Sequence, residues 1–240
     1  MKLLLINANT TEAITDRLVA IARALAPPGV TVQGATGRFG ARYIASRAAA
    51  AIASHATLNA FAEHGADADA VLIACYGDPG LDALRELAGV PVLGLADACA
   101  QEASRIGRFG IVTGGAAWKP MLEEFHQSRG YGAALAGVRA IAPTGAEIAA
   151  DPDAAIAALA ATCRDCAARD GAEVVILGGA GLAGLAPRVA ALAGLPVLCS
   201  VETGVRAAFA ALGAPRIHAG TQHAPVESIG LSPALARLLG

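Results

Sequence analysis

An internal repeat constrains the fold of this chain more than any other feature. Apolar segments recur at a nearly constant spacing: 106 residues from Leu3 to Phe109, 106 from Val32 to Val138, and 105 from Gly89 to Gly194. A constant offset across several elements indicates an internal duplication. Each half has four short apolar strands alternating with helices, which is typical of a parallel sheet covered by helices. The sequence therefore predicts an α/β fold of two pseudo-symmetric, doubly wound, Rossmann-like parallel-sheet domains.

The repeat also predicts where the domains divide. We expect residues 1–97 and 210–240 to form the first domain and residues 98–209 to form the second. The predicted strands are Lys2–Ile6, Val30–Gln33, Ala70–Ala74, Val92-Leu93, Phe109–Thr113, Val138–Ile141, Val174–Leu177 and Val197-Leu198. The main predicted helices are Glu12–Leu25, Ile44–His64, Asp97–Ile106, Ala150–Ala168, Glu202–Leu212 and Pro233–Leu239.

Composition excludes several classes of function. The 240 residues are 55% hydrophobic, enough for a large core, and the formal net charge of −2 comes with no basic stripe, so we expect no nucleic-acid partner. No apolar run is long enough to cross a membrane, and the apolar run near Met1 is too short for a signal peptide. We therefore expect a cytoplasmic protein without a membrane partner. The five cysteines form no disulfide framework, and a homo-oligomer is left open.

Cys75 is the principal candidate for catalysis, because it follows the buried strand predicted at Ala70–Ala74. Open α/β sheets bind ligands at the carboxyl ends of their strands. Asp78 and Pro79 suit the cap and first position of the next helix, so we expect an exposed thiol against a helix N-terminus. The partial positive charge there lowers the pKa of a thiol and favours the thiolate. A small buried hydrophobic cysteine remains the alternative.

The repeat locates a partner position for Cys75 in the second half. Fourteen residues separate Cys75 from Gly89, and a similar distance back from Gly194 ends at Gly179. If the two halves face each other, Cys75 and Gly179 lie on opposite sides of one cleft.

Three motifs in register with this repeat carry a family resemblance. They are Asn7-Ala8-Asn9-Thr10, the segment Cys75–Gly80 and the segment Leu177–Leu185. They resemble the Asn-Pro-Asn-Thr/Ser opening and the two catalytic-cysteine motifs of the Asp/Glu/hydantoin racemase family, hydantoin racemases in particular. The resemblance covers nearly the whole chain. It implies an inter-domain site, a small carboxylate or hydantoin as substrate, and catalysis that needs neither cofactor nor metal.

One departure from the family pattern affects the chemistry. Gly179 stands where the family has its second catalytic cysteine, whereas Ala8 in place of proline is minor. A two-base racemase removes the α-proton with one thiolate and returns a proton to the other face from the opposite thiol. Gly179 supplies no acid or base, and it is either a natural glycine or an engineered substitution.

Three functions therefore stay open. The first is a racemase-type isomerase that transfers a proton at the carbon α to a carboxylate or hydantoin carbonyl. The second is a one-cysteine decarboxylase of substituted malonates; arylmalonate decarboxylases, relatives in the superfamily, have their single cysteine in the second motif. The third is a catalytically inactive protein that binds small acids.

Substrate contacts are expected around both strand ends. Backbone N–H groups at two helix starts suit a carboxylate or imide oxygen, while Asn9 and Thr113 either contact substrate or merely cap helices. Tyr43, in the glycine-rich loop Gly34–Tyr43, forms a wall of the site or belongs to a plain surface loop. The candidate binding residues are Asn9, Tyr43, Tyr76, Gly77, Thr113, Gly114, Ala180 and Gly181.

Rival motifs are weaker. Gly179–Gly184 has the pattern GxGxxG after a strand, and Glu202 follows at the spacing of a ribose-binding acid, as in dinucleotide-binding proteins. The first half of the chain has no matching dinucleotide motif, so nicotinamide binding is disfavoured. Cys163 and Cys166 form a CxxC inside a predicted helix, which favours two helix-face cysteines over a zinc or redox site. His218 and His223 are expected to be structural or solvent-facing loop residues.

Overall fold

The structure, a computed structural model, describes residues 1–215 and 227–240, so His218 and His223 lie outside it. The strands are β1 (Lys2–Asn7), β2 (Thr31–Thr36), β3 (Ala70–Ile73), β4 (Val92–Gly94), β5 (Phe109–Gly114), β6 (Leu135–Ile141), β7 (Val174–Gly178) and β8 (Val197–Cys199). The helices of the first part are α1 (Glu12–Leu25), α2 (Arg47–His64), α3 (Leu81–Leu87) and α4 (Leu95–Ile106). The later helices are α5 (Trp118–Ser128), α6 (Gly145–Ala150), α7 (Pro152–Asp170), a 3-10 turn (Ala180–Leu182), α8 (Ala186–Ala193), α9 (Ser200–Ala210) and α10 (Pro233–Leu239).

The strands form two parallel four-stranded sheets of the same topology. Their orders are β2-β1-β3-β4 and β6-β5-β7-β8. The central strands are continuous apolar runs, and Leu3, Leu4, Leu5 and Ile6 of β1 have no exposed surface. Such continuous apolar sequences are typical of strands that are buried on both faces, because helices cover both sides of a parallel sheet. The predicted α/β fold with an internal duplication is confirmed.

The chain divides into two compact units, Met1–Gly94 with Val205–Gly240, and Leu95–Gly204. In the first unit, α10 packs on α2. The Ser232 side chain caps α10 by accepting the N–H of Leu235 at 3.2 Å, and its hydroxyl donates to Asn59 Oδ1 at 2.5 Å. Within the described residues, no helix is long and apolar enough to span a membrane.

Several element boundaries differ from the predicted ones. Strand β2 continues to Thr36, into the loop predicted at Gly34–Tyr43, because all six of its residues pair with β1. Helix α2 begins at Arg47 rather than Ile44, since the Ser46 side chain caps it by accepting the N–H of Ala49 at 3.1 Å.

The helix predicted at Ala150–Ala168 is α7, Pro152–Asp170, and the separate short helix α6, Gly145–Ala150, precedes it. A capping box formed by Thr144 and Glu147 starts α6, and Asp151 then caps α7, which has Pro152 in its first turn. Strand β6 begins at Leu135, and α9 spans Ser200–Ala210 rather than Glu202–Leu212.

Candidate active site

Cys75 lies just beyond the carboxyl end of β3. Strand β3 pairs with β1 through Ile73, and Ala74 continues the pairing by donating its N–H to the carbonyl of Ile6 at 2.8 Å. The chain then leaves the sheet. The position of Cys75 at this edge is the one expected from the sequence.

The environment of the Cys75 thiol differs from the expectation. The residue is only 9% exposed rather than open to solvent. Burial, together with the negative charge of Asp78, raises the pKa of the Cys75 thiol to about 12. The expectation of an exposed thiol is therefore wrong, and the raised pKa of Cys75 disfavours the expected thiolate at neutral pH.

The turn after Cys75 explains this difference. The N–H of Asp78 donates to the carbonyl of Cys75 at 3.0 Å, which closes a turn, and α3 begins only at Leu81. Gly80 precedes the helix with φ +83°, and no side chain caps it, so Asp78 is not a helix cap and Pro79 is not in the helix. Helix α3 thus begins six residues after Cys75, and the predicted placement of Asp78 and Pro79 at its N-terminus is wrong.

Asp78 instead occupies a strained, buried position. Its φ is +48°, the only positive φ of a non-glycine residue in the part of the chain that the structure describes, and it is 3% exposed. Its carboxyl group fills the space that a Cβ at Gly94 would take. Residues held in such backbone conformations cluster at functional sites.

Gly179 is the structural counterpart of Cys75 in the second unit. Strand β7 pairs with β5, and Gly178 lies opposite Thr113, near the end of β5. In the first unit, the hydrogen bond from the Ala74 N–H to the Ile6 carbonyl places Ala74 beside the end of β1 in the same way. Gly179 is the next residue after Gly178, as Cys75 is the next after Ala74. The strand registers therefore make positions 75 and 179 equivalent.

The surroundings of Gly179 leave room for a side chain, but its backbone does not favour one. A Cβ there would meet Leu182 Cδ1 at 3.5 Å and Thr113 Oγ1 at 4.0 Å, both ordinary contacts. Yet Gly179 has φ +131° and ψ +146°, which is essentially a glycine conformation. Its N–H donates to Ser200 Oγ at 3.2 Å, and Ser200 is fully buried.

Three candidate N–H groups have no acceptor in the described residues. They belong to Gly77, Ala180 and Gly181. Ala180 and Gly181 begin the 3-10 turn, whereas Tyr76 and Gly77 precede α3 by a turn, so the expectation that the latter two lie at a helix start is wrong. Gly181 lies so close to Gly145 that a Cβ would overlap the Gly145 carbonyl.

Thr113 and Gly114 end β5, and neither caps a helix. Thr113 is 5% exposed, and α5 begins at Trp118 with Ala117 as its N-cap. A Cβ on Gly114 would lie 2.7 Å from the N atom of Gly145, so a glycine here permits the close approach of α6.

Asn9 also does not cap α1, whose N-cap is Thr11. Its side-chain oxygen accepts the N–H of Thr11 at 2.9 Å and a hydrogen bond from Asn7 Nδ2 at 3.0 Å.

The buried Asn7 was not among the predicted site residues, nor was Ser200. The motif containing two asparagines was the available signal for Asn7, whereas Ser200 had none.

Tyr43 is half-buried in a segment held by several contacts. Arg38 forms an ion pair with Glu63 at 2.8 Å, and the Phe39 ring meets the His55 ring edge-on at 4.8 Å between centroids. The segment therefore packs on α2.

The rival motifs have structural explanations. Cys163 and Cys166 are fully buried on α7, as predicted for helix-face cysteines, and burial raises the pKa of each thiol. The GxGxxG segment does not open a helix, because α8 begins at Ala186, after Gly184. A dinucleotide fingerprint needs the glycine turn to lead directly into the helix.

Comparisons with known proteins agree on one family. Residues 3–208 match the family model described as Asp/Glu/Hydantoin racemase. The chain is 30% identical to the hydantoin racemase of Paenarthrobacter aurescens over 232 residues, 95% of this chain and 98% of that one. The crystal structure of allantoin racemase from Pseudomonas fluorescens superposes with a TM-score of 0.89 at 32% identity, covering 96% of this chain and 100% of that one.

A more distant likeness concerns the fold alone. Arylmalonate decarboxylase superposes with a TM-score of 0.62 at 18% identity, covering 100% of this chain and 99% of that one.

Proposed function

The chain belongs to the Asp/Glu/hydantoin racemase family, and we propose that it is a racemase-type isomerase in which Cys75 transfers a proton at the carbon α to a carboxylate or hydantoin carbonyl. The proposed reaction needs no cofactor. The observation that carries the proposal is the equivalence of positions 75 and 179, of which only position 75 has a thiol, and this supports Cys75 as the proposed acid/base. The proposal requires both positions to serve one substrate, as the sequence predicts.

The proposed proton transfer begins at the thiolate form of Cys75. The Cys75 thiolate takes the α-proton, an S–H bond forms, and the electron pair of the broken C–H bond becomes the π bond of an enolate. Return of the proton from Cys75 restores the same enantiomer, while a proton from water on the other face gives inversion. The hydroxide that this water leaves then takes the proton from Cys75 and regenerates the thiolate. The N–H of Gly77, two residues after Cys75 and without an acceptor in the described residues, is the kind of donor that stabilises the negative oxygen of an enolate.

The high pKa of Cys75 bears on the direction of transfer. The raised pKa favours the thiol form of Cys75 at neutral pH, and this form can donate a proton to an enolate but cannot abstract one. Proton abstraction then requires loss of the thiol proton when substrate binds.

The protonated thiol and Gly179 together favour a second candidate, the decarboxylase of substituted malonates. Loss of carbon dioxide breaks a C–C bond and leaves its electron pair as an enolate, so no base is needed. The Cys75 thiol then protonates the α-carbon from one side, and water restores the thiol. Such a reaction gives one product enantiomer from a prochiral malonate.

A substrate panel tests both candidates. Single enantiomers of 5-substituted hydantoins, allantoin, aspartate and glutamate, together with an aryl-substituted malonate, are incubated with the protein and followed by chiral chromatography and NMR. We expect turnover of at least one compound, and a loss of about 10²–10⁴-fold in Cys75→Ser. Cys163→Ala, at a buried cysteine on α7, is the matched control and should keep the activity.

The outcomes separate the functions. Inversion supports the isomerase, and release of carbon dioxide supports the decarboxylase. Full activity in Cys75→Ser contradicts both, and binding without turnover of any compound indicates the inactive binding protein.

A further inference from the structure

Asn7 lies at the centre of a hydrogen-bond network beside the candidate site. It is the last residue of β1 and has no exposed surface. Its Oδ1 accepts the N–H of Asn9 at 3.3 Å. Its Nδ2 lies within hydrogen-bond distance of Asn9 Oδ1 at 3.0 Å, the Thr11 carbonyl at 3.2 Å and Thr15 Oγ1 at 3.1 Å. A buried amide with this many partners holds its surroundings in one arrangement.

The network fixes which way each amide points. The main-chain N–H of Thr11 can only donate, so the Asn9 atom that it meets at 2.9 Å must be the oxygen. The Thr11 carbonyl can only accept, so the Asn7 atom beside it must be the nitrogen. Reversal of either amide would set donor against donor or acceptor against acceptor.

The side chain of Asn9 has only hydrogen-bond donors available to a ligand. Its oxygen already accepts from Asn7 and Thr11, whereas its Nδ2 donates no hydrogen bond within residues 1–215 and 227–240. Asn9 is also half-buried rather than fully enclosed. The side chain therefore offers two N–H groups and no acceptor to a ligand.

The same network joins the loops that follow β1 and β2. The N–H of Gly37 donates to the carbonyl of Asn7 at 2.8 Å and to that of Asn9 at 3.1 Å, and Thr10 donates to the carbonyl of Ala41 at 3.2 Å. A Cβ on Gly37 would lie 2.9 Å from the Ala8 carbonyl oxygen, so the approach requires glycine. Displacement of Asn7 would disturb both loops.

We propose that Asn7 is a positioning residue that turns Asn9 so that it binds a hydrogen-bond acceptor of the substrate, a carboxylate or carbonyl oxygen. This inference rests on the proposed function and deepens it. An amino, ammonium or amide N–H group at this point would find no acceptor on Asn9. The substrate oxygen that gains charge in the enolate suits the two donors.

A double-mutant cycle tests whether Asn7 acts through Asn9. Asn9→Ala and the nearly isosteric Asn7→Asp should each lower kcat/KM by about 10- to 100-fold, the range for a hydrogen bond to a charged group. In the Asn9→Ala background, Asn7→Asp should lower kcat/KM little further, although it lowers the unfolding midpoint in both backgrounds. An equal fall in kcat/KM in both backgrounds would show a purely structural role and overturn the proposal.

A further variant, Asn9→Asp, tests whether the substrate group bound by Asn9 is a hydrogen-bond acceptor. Asn9→Asp keeps the oxygen that accepts from Asn7 and Thr11 but replaces both donors by a second acceptor. We expect a greater loss of kcat/KM than in Asn9→Ala, because the new oxygen repels the substrate oxygen. Activity that survives Asn9→Asp would show that the substrate presents a donor.

Side-chain amide NMR of the full chain does not depend on turnover. The Nδ2 protons of Asn7 should exchange slowly with solvent and those of Asn9 quickly, and a 5-substituted hydantoin or a dicarboxylate should shift the Asn9 resonances. If no compound is turned over, the proposed function fails, yet a ligand-dependent shift still supports the role of Asn9. Slowly exchanging Asn9 protons in the free protein, or no shift with any compound, would overturn the inference.

Discussion

Replacement of Gly179 by cysteine should restore a second acid/base at a measurable cost in stability. The new Cβ fits, since its nearest neighbours would be Leu182 Cδ1 at 3.5 Å and Thr113 Oγ1 at 4.0 Å. The backbone at φ +131° disfavours any side chain, which costs about 1–3 kcal/mol. A positioned thiol on the second face should raise the inversion rate about 10²–10⁴-fold.

The matched control is Gly179→Ala, which carries the same backbone strain without the thiol. Inversion is followed by polarimetry on one enantiomer of a turned-over hydantoin, and stability by the thermal midpoint. Both variants should melt lower, by about 2–4 °C for each kcal/mol lost, and only Gly179→Cys should invert faster. Equal inversion rates in two folded variants would refute the assigned role of position 179. An unchanged midpoint in Gly179→Ala would refute the backbone argument.

Three further changes test other parts of the structure. The rate at which iodoacetamide alkylates Cys75 should rise about tenfold per pH unit from pH 7 to 10, because burial raises the pKa of its thiol to about 12. Peptide mapping measures this rate, and a plateau below pH 9 would contradict the raised pKa. Gly94→Ala should destabilise the protein by about 1–3 kcal/mol through overpacking against Asp78, and the loss should vanish in Asp78→Gly, as denaturant titration of the double-mutant cycle can show. The Arg139 bond lowers the pKa of the Asp170 carboxyl, so its stabilisation is present above the unfolded pKa, near 4, and disappears as the pH falls through the lower folded pKa. Asp170→Asn should therefore cost about 0.5–1 kcal/mol at pH 7 and progressively less as the pH falls below about 4, whereas a pH-independent cost would indicate a packing effect.

The fold was predictable because the signals were local and repeated. The apolar run at Leu3–Ile6 and its counterpart from Phe109 have the length of buried strands, and their offset held through the whole chain. Helix α6 was missed although its capping box, Thr144 with Glu147, was present in the sequence. Strand β2 was predicted too short because pairing with β1, a tertiary contact, keeps Gly34 extended.

The candidate site was only partly predictable. The registers of β3 and β7 follow from strand pattern and so place Cys75 and Gly179 in equivalent positions. The pKa of Cys75 depends on burial and on the turn that closes at Asp78, and neither is a property of local sequence. The hydrogen bonds of Asn7 likewise join residues of β1, the following loop and α1.

The central claim is that one thiol, Cys75, serves a single face of the substrate carbon. The most direct measurement is the ratio of α-proton exchange to inversion in D₂O, taken by NMR and chiral chromatography for each enantiomer separately. We predict that one enantiomer exchanges its α-proton much faster than it inverts, while the other exchanges little, and that Cys75→Ser abolishes the exchange. Equal exchange of both enantiomers, with inversion at the same rate, would contradict the claim, because it would require a second acid/base on the face opposite Cys75.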